Sequence, residues 1–437
     1  MEINKAVRGT NDVLPCDSNK WKFVEDKMFD VAARFGFKEI RLPVFEHTEV
    51  FTKSVGDTSD VVQKEMYTFD DKGGRSITLR PEFTAGTVRS VIEHGLTNEA
   101  LPVKVCYAGG CYRYEKPQAG RLREFHQFGV ECFGPQKPVA DAEIISLAHT
   151  ILTELGIKGF SLEINSIGCP ECRRKYQEAI KDYFRAHIDD LCDTCKERLE
   201  RNPMRILDCK SPVCKKIAEG APLIIDYLCD ECKEHFETVQ KHLKASNIDF
   251  TVNPHIVRGL DYYTKTVFEF VSDAIGAQST VCGGGRYDLL VEQMGGPKLA
   301  ALGFAIGIER ILMVMDAQNC AVKPEEPIDI YIAPMGEDAA LKATELCSKL
   351  RAEGFKALTD VVGRGLKAQM KYANKVGAQY TVVLGDDELA NNSCKIKDMK
   401  SGEEIQTDTD EGLVASLYDL KINSAFDDLN KSIEDFK

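Results

Sequence analysis

Eight of the sixteen cysteines in this 437-residue chain fall between Cys169 and Cys232, inside a helix-rich stretch that runs from about Cys169 to about Asn247. The stretches on either side read as strands, so a sheet built from them must close across an insertion of roughly eighty residues. The cysteines come as four close pairs, Cys169/Cys172, Cys192/Cys195, Cys209/Cys214 and Cys229/Cys232. In a small secreted chain such pairs would imply disulfides. In a large chain whose start, MEINKAVRGTNDVLP, lacks a basic and then apolar signal pattern, they imply thiols or metal and a cytoplasmic protein. C-x-x-C pairs are zinc candidates. One helix over Arg173–Leu191 would set the first pair about 28 Å from the second, too far to share an ion. Cys192/Cys195 can combine with one of the later pairs, and a zinc site and a set of buried thiols both fit the pattern.

The length exceeds one ordinary core, so two or three domains are expected. Residues 1 to about 165 mix strand-like runs (FKEIRLPVF, RSITLRP, LPVKVCYAGG, EFHQFGVECFG) with helical ones, without strict βαβ alternation. That favours an α+β fold with an antiparallel sheet. The sheet pattern resumes after the insertion with YYTKTVFEFV and closes with the helix IERILMVMDA. KPEEP (323–327) marks a linker. Beyond it, PIDIYIAP, a helix from about Asp338 to Arg351, FKALTD, a helix from about Gly365 to Lys375, and YTVVLGDDE read as βαβαβ, a small α/β domain. The expected division is 1–325 with the 169–247 insertion, then 326–425, then a tail, 426–437. No apolar run approaches the roughly 18 residues that cross a bilayer. A net charge of −13 argues against a nucleic-acid binder of high overall positive charge, so any RNA must meet local basic patches.

Read as one strand, Arg121–Glu131 sends Arg121, Arg123, Phe125, Gln127, Gly129 and Glu131 to one face, and Leu122, Glu124, His126, Phe128 and Val130 to the other. For a lone strand the first face would be a solvated sheet surface. A preceding strand ending near Arg113 and Glu115, joined by KPQAG, makes an antiparallel hairpin and adds polar groups to the same face. With Gly129 leaving room, that face reads as a ligand floor.

Four segments taken together, RPEFT (80–84), RYEKPQAGRLREFHQFGVE (113–131), RGLDYYT (258–264) and GFAIGIERI (303–311), resemble the histidyl-tRNA synthetases, a family of class II aminoacyl-tRNA synthetases. The resemblance covers nearly the whole chain. It implies a class II antiparallel-sheet catalytic domain with a helical insertion, a C-terminal anticodon-binding domain, and activation of L-histidine by ATP, with Mg2+, before transfer to tRNA(His). Two anions must meet in that step, and fixed guanidinium groups suit it. By resemblance Arg113 holds the α-phosphate, Arg310 the γ-phosphate, and Arg258 bridges the histidine carboxylate and the α-phosphate. Glu115, Arg121 and Phe125 complete the ATP side, Phe125 stacking on adenine. The other reading of Arg258 is a structural salt bridge with an acid such as Asp261.

A pocket for imidazole needs a carboxylate on one nitrogen and a hydroxyl on the other, roles that Glu131 and Tyr263 fit. The family pattern places Glu82, Thr84 and Gln127 around the α-ammonium, with Tyr262 and Tyr287, the latter in CGGGRYDLL (282–290), lining the pocket. The glycines there lack the Lys-Ser/Thr ending of a phosphate loop. Phe83 stands where the family more often has glycine, which bears on the backbone beside Glu82.

Gln118 and Arg123, in and beside the hairpin loop, are expected at the acceptor end of tRNA. Arg364, Lys367, Lys371 and Lys375 form a basic stripe at helical spacing, read either as a solvated face or as an RNA contact. The run IRLPVF with Pro43 matches the dimer-forming first motif of class II enzymes, so a homodimer is expected. Members of the family generally work without zinc. The main alternative is a non-catalytic, histidine-sensing paralogue that regulates histidine biosynthesis. Such proteins usually lack RGLDYY and the last domain, and both are here. An inactive RNA-binding scaffold would predict loss of Arg113, Arg258 or Arg310, and all three are present.

Overall fold

Strand-forming runs from both sides of the cysteine-rich insertion meet in one eight-stranded sheet. The structure is a computed structural model that describes residues 4–435 apart from 57, 58, 60, 99, 208 and 210. The chain divides into two units, Met1–Lys323 and Pro324–Lys437.

In the first unit the strand order is Lys38–Glu39, Val103–Tyr112, Glu124–Phe133, Ala301–Gly307, Thr280–Arg286, Thr264–Ser272, Phe160–Ser166 and Thr251–Val252. The six long strands pair antiparallel, and only the two-residue strands at the edges pair parallel. One face carries Phe128, Val130, Phe268, Phe270, Phe304 and Ile306, which pack with Met28, Leu147, Ile151, Val239 and Ile311 from helices Pro15–Arg34, Pro138–Glu154, Asp230–Ala245 and Ile308–Ala317. Burial of these side chains, each worth about 1.5–3 kcal/mol, leaves the other face to hold the site.

The hairpin strands are Val103–Tyr112 and Glu124–Phe133, so Arg121, Leu122 and Arg123 lie outside the strand expected to begin at Arg121. A bridge between Gln118 and Arg121 closes the loop first, around Gly120 at a φ of +69°. Register then sets glycines opposite the large polar side chains of the floor, with Gly129 across from Tyr107, Gly303 from Glu131 and Gly283 from Glu269. A Cβ at Gly129 would stand 2.5 Å from the Tyr107 hydroxyl oxygen. The room that Gly129 leaves is therefore filled by Tyr107 rather than by a ligand.

The insertion is a chain of helices, chiefly Pro170–Arg185, Asp193–Arg201, Pro212–Ala218 and Asp230–Ala245, and Tyr176, Ile180, Phe184, Leu199 and Ile206 form its core. The expected single helix over Arg173–Leu191 ends at Arg185, with a 3-10 turn at Ile188–Asp190.

In the second unit, strands Ala357–Thr359, Ile328–Pro334 and Ala378–Leu384 are parallel, with helices Glu337–Ala352 and Leu366–Lys375 as crossovers. An antiparallel hairpin, Ser393–Asp398 and Glu404–Asp408, extends the sheet beyond the expected βαβαβ. Helix Glu411–Asp435 runs through the boundary placed at 425/426, and residues 436 and 437 lie outside the described residues. Among the described residues no helix is long and apolar enough to cross a membrane.

Candidate active site

The polar face of the sheet holds two adjoining cavities. One, of about 230 Å³, is lined by Glu82, Thr84, Arg113, Gln127, Glu131, Arg258, Tyr262, Tyr263 and Tyr287 among others. The other, of about 150 Å³, is lined by Arg113, Glu115, Gly120, Arg121, Leu122, Phe125, Gln127, Gly307, Glu309 and Arg310. Arg113 and Gln127 line both. A larger cavity in the second unit, around Ser393, Lys395 and Gln406, is open and brings together none of the expected site residues.

Glu131 is 1 % exposed and lines the first cavity. Its Oε1 accepts from the Thr84 hydroxyl at 2.7 Å and from the Tyr107 hydroxyl at 2.9 Å. Its Oε2 accepts from the Tyr287 hydroxyl. A carboxylate offers about four lone-pair sites, so one remains for an N–H donor inside the cavity. Burial pushes the Glu131 carboxyl up to about 7 against the opposing pull of the Tyr287, Thr84 and Tyr107 hydroxyls. Thr84 is thus engaged with Glu131 rather than only with the expected ammonium position. Tyr107 carried no role in the sequence reading. Its alternation with Val105 and Gly109 along one strand is the signal that would have placed it on the floor.

Phe83 stacks flat on Tyr107 at 4.3 Å, with the Arg80 guanidinium 4.0 Å from the Phe83 ring. Its backbone is helical, at φ −99° and ψ −28°, a conformation open to any residue, so the phenylalanine causes no backbone difficulty beside Glu82. The Glu82 carboxylate accepts from the amides of Thr84 at 2.7 Å and Ala85 at 2.8 Å, at the start of helix Thr84–Glu93. Burial raises its pKa, and those amides oppose the rise.

Arg258 pairs with Glu269, not with Asp261. Glu269 also accepts from the Thr280 hydroxyl at 2.8 Å. The Arg258 guanidinium lies 5.5 Å from the Tyr263 ring, and a Cβ at Gly283 would come within 2.5 Å of its Nη2. Among the described residues its buried Nε has no hydrogen-bond partner. Glu269 escaped the sequence reading, although alternation from Val267 in TVFEFVS puts it on the site face. Asp261 instead accepts from Asn202 Nδ2 at 3.0 Å, and its backbone oxygen accepts from Arg173 at 3.3 Å.

On the other side Arg113 donates to the Pro81 carbonyl at 2.8 Å, and its guanidinium lies 5.2 Å from the Phe125 ring. Arg121 pairs with the buried Glu115. Arg310 donates to the carbonyls of Gly120 at 3.0 Å and Thr280 at 2.7 Å. Burial lowers the Arg310 pKa, and the nearby cations Arg121 and Arg113 lower it further. Three guanidinium groups lining one small cavity form a place for an anion. Glu309, also unassigned from sequence, accepts from the His126 amide at 2.9 Å and pairs with its ring, which raises the His126 pKa.

Gln118 is exposed at the loop tip, while Arg123 is held over the Tyr114 ring at 4.0 Å and donates to the Glu115 carbonyl at 3.3 Å. In the second unit Lys367, Lys371 and Lys375 are exposed on helix Leu366–Lys375. Arg364 is not part of that stripe. It precedes the helix and pairs with Asp360 at 2.8 Å, because the loop before the N-cap Gly365 is closed by Asp360. Among the described residues the eight insertion cysteines gather into two groups, Cys169, Cys172, Cys229 and Cys232, and Cys192, Cys195, Cys209 and Cys214.

This arrangement has counterparts in known proteins. A family model described as histidyl-tRNA synthetase matches residues 9–182 and 210–311, and one described as anticodon binding domain matches residues 329–416. A relative named histidine–tRNA ligase from Caldanaerobacter subterraneus subsp. tengcongensis is 53% identical over 410 residues, 94% of this chain and 98% of the relative. One of the same name from Acetivibrio thermocellus is 54% identical over 409 residues, 93% of this chain and 98% of the relative. The crystal structure of apo S. aureus histidyl-tRNA synthetase superposes with a TM-score of 0.81 at 39% identity, covering 95% of this chain and 100% of that one. The chain belongs to the histidyl-tRNA synthetase family.

Proposed function

We propose that the protein is a histidine–tRNA ligase, which joins L-histidine to ATP to give histidyl-adenylate and pyrophosphate and then transfers histidine to the 3′ end of tRNA(His). The observation that carries this reading is the pair of cavities joined at Arg113 and Gln127, one lined by Glu131 and the other ringed by arginines. Histidine enters the first with its imidazole N–H on the free lone pair of Glu131 and with Tyr263 on the ring's other side. Its ammonium lies towards Glu82 and Gln127. ATP occupies the second, adenine against Phe125, with Arg113 at the α-phosphate and Arg310 at the γ-phosphate. Glu115 and Arg121 belong to the same side.

A histidine carboxylate oxygen attacks the α-phosphorus, the new P–O bond forms, and the bond to pyrophosphate breaks with its electron pair on the leaving oxygen. Arg258 would offset the charge gathered between the two anions, and its unpaired buried Nε–H supports that role. No side-chain nucleophile is needed. Mg2+ entering with ATP would offset charge on the phosphates, and Glu115 and Glu309 are the carboxylates that line that side. Transfer then moves the histidyl group to a ribose hydroxyl of the tRNA and releases AMP. Gln118 and Arg123 would meet the acceptor end, and Lys367 and Lys371 the anticodon side, with Arg364 shaping the loop before their helix.

A cytoplasmic homodimer belongs to this reading. Its support is an apolar group on the three-stranded sheet beside Pro43, where Val44, Phe45 and Phe69 are 41%, 57% and 48% exposed. The histidine-sensing paralogue is disfavoured because Arg113, Arg258 and Arg310 all face the cavities. The test is charging of a tRNA(His) transcript with labelled histidine. ATP-dependent charging with release of AMP is expected, and histidine binding without charging would favour the paralogue.

A further inference from the structure

We propose that the insertion holds two structural zinc ions, each bound by four thiolates. Cys169 and Cys172 share one with Cys229 and Cys232, and Cys192 and Cys195 share the other with Cys209 and Cys214. In each group the four Sγ atoms lie within 4.8 Å of one another. Cys169 and Cys172 are 3.5 Å apart at sulfur, and Cys192 and Cys209 are 3.8 Å apart. A tetrahedral zinc with Zn–S bonds of about 2.3 Å requires sulfurs about 3.8 Å apart. None of these cysteines is in a disulfide. A cluster of two or four irons would hold its ligands farther apart than this, and four soft thiolates around one small tetrahedral centre fit zinc.

The backbone around each group is built for negative sulfur. Cys169, Cys192 and Cys229 are each the N-cap of a helix, and Cys172, Cys195 and Cys232 follow in the first turn. Cys214 stands in the first turn of helix Pro212–Ala218. The first site is thus faced by the positive ends of two helices and the second by that of helix Asp193–Arg201, which offset part of the net double negative charge of a zinc tetrathiolate. Amides also donate to sulfur, Cys229 to Cys172 at 3.1 Å, Cys192 to Cys214 at 3.3 Å and Ser211 to Cys209 at 3.4 Å. The other eight cysteines join neither group, and the sheet cysteines Cys106, Cys111, Cys132, Cys282 and Cys394 are simply buried.

The sites have a reason to exist. The insertion has a small core of its own, and its middle is built of the short helices Asp193–Arg201 and Pro212–Ala218, the setting in which metal binding supplies folding free energy. It is also what grips the loop from Arg258 to Tyr262. Arg173, one residue after Cys172, donates to the Asp261 carbonyl. Asn202 and Arg205, between the two halves of the second group, hold the Asp261 carboxylate at 3.0 Å and the Gly259 carbonyl at 2.9 Å. Zinc there acts as a positioning element for that loop and touches no substrate.

The test is the metal content of the full chain, purified without an affinity tag that binds metal and without chelator. Two zinc ions per chain are expected, released by a mercurial titrant as the eight thiols are consumed. Replacement by cobalt should give the charge-transfer and d–d bands of two tetrathiolate sites. The double variants Cys172→Ser/Cys232→Ser and Cys195→Ser/Cys214→Ser should each retain one ion. Because such variants can misfold, the decisive reading is taken on the parent protein. Folded parent chain with all eight insertion thiols reduced and no stoichiometric metal would overturn the proposal, and so would iron in place of zinc or a single ion per chain.

Discussion

At the proposed histidine end of the site the polar groups are tied to one another, whereas at the proposed ATP end the cations are tied to partners that a ligand can replace. Glu131 is enclosed by the hydroxyls of Thr84, Tyr107 and Tyr287, and Phe83 fixes Tyr107 from behind. Arg113, Arg121 and Arg310 rest on the Pro81 carbonyl, Glu115 and two further backbone carbonyls. The first arrangement is set before binding and rejects a side chain that cannot satisfy it. The second stores positive charge until phosphate and carboxylate arrive. Selectivity is thus expected from a rigid hydrogen-bond network and rate from held cations, and substitutions at the two ends should separate KM from kcat.

The largest effect is expected at Arg258. Arg258→Ala should lower the rate of histidine-dependent ATP–pyrophosphate exchange by about 10³-fold, mainly in kcat, as loss of a fixed transition-state charge does. Near-normal exchange would remove the role given to this residue and leave its pair with Glu269 as structural. Glu131→Gln comes next, with a rise of about 10²-fold in the histidine KM, because the buried hydroxyls lose an acceptor and the imidazole its partner.

The same residue makes a pH prediction. Burial sets the Glu131 carboxyl at about 7 in the folded protein, above its ordinary 4.5. The folded state therefore favours the protonated form, and that contribution is fully present below the ordinary value. It is lost as the pH rises through 7, a difference on the order of 3 kcal/mol. Thermal melts of the ligand-free parent should lose stability across that window, and Glu131→Gln should not share this component. Parallel pH profiles for the two would contradict the buried network.

A smaller change is expected from Tyr107→Phe, which removes one of the Glu131 donors and should raise the histidine KM about tenfold with kcat little changed. A fall in kcat alone would mean that Tyr107 serves the reacting atoms instead. Smallest are Lys367→Ala and Lys371→Ala, which should leave pyrophosphate exchange unaltered and weaken tRNA binding a few-fold, with a shallower salt dependence. An unchanged salt slope would make that helix face merely solvated.

The contrast also marks what a single sequence can convey. Period-two alternation was enough to put Phe125, Gln127 and Glu131 on one face and Phe128 and Val130 in the core, because register leaves a strand no other choice. The strand's start was misplaced by three residues because loop closure at Gln118 and Arg121 depends on Gly120, which periodicity does not see. Tyr107, Glu269 and Glu309 were missed for a different reason. Alternation gives the face of Tyr107 and Glu269 but not their partners, which come from strand register for the first two and from a helix start for Glu309, beside His126. Spacing could separate Cys169/Cys172 from Cys192/Cys195. It could not show that Cys229/Cys232 returns to the first pair, since that return is made by the turns between helices. Arg364 kept the helical spacing of the lysines but stands outside the helix, held by Asp360.

The central claim is that histidine and ATP react across Arg113 with selectivity set at Glu131. Its most direct test is ATP–pyrophosphate exchange with each of the twenty amino acids in the absence of tRNA. The account predicts exchange with histidine alone. Exchange with other amino acids would contradict the selectivity assigned to the Glu131 network, and no exchange despite histidine binding would contradict catalysis itself.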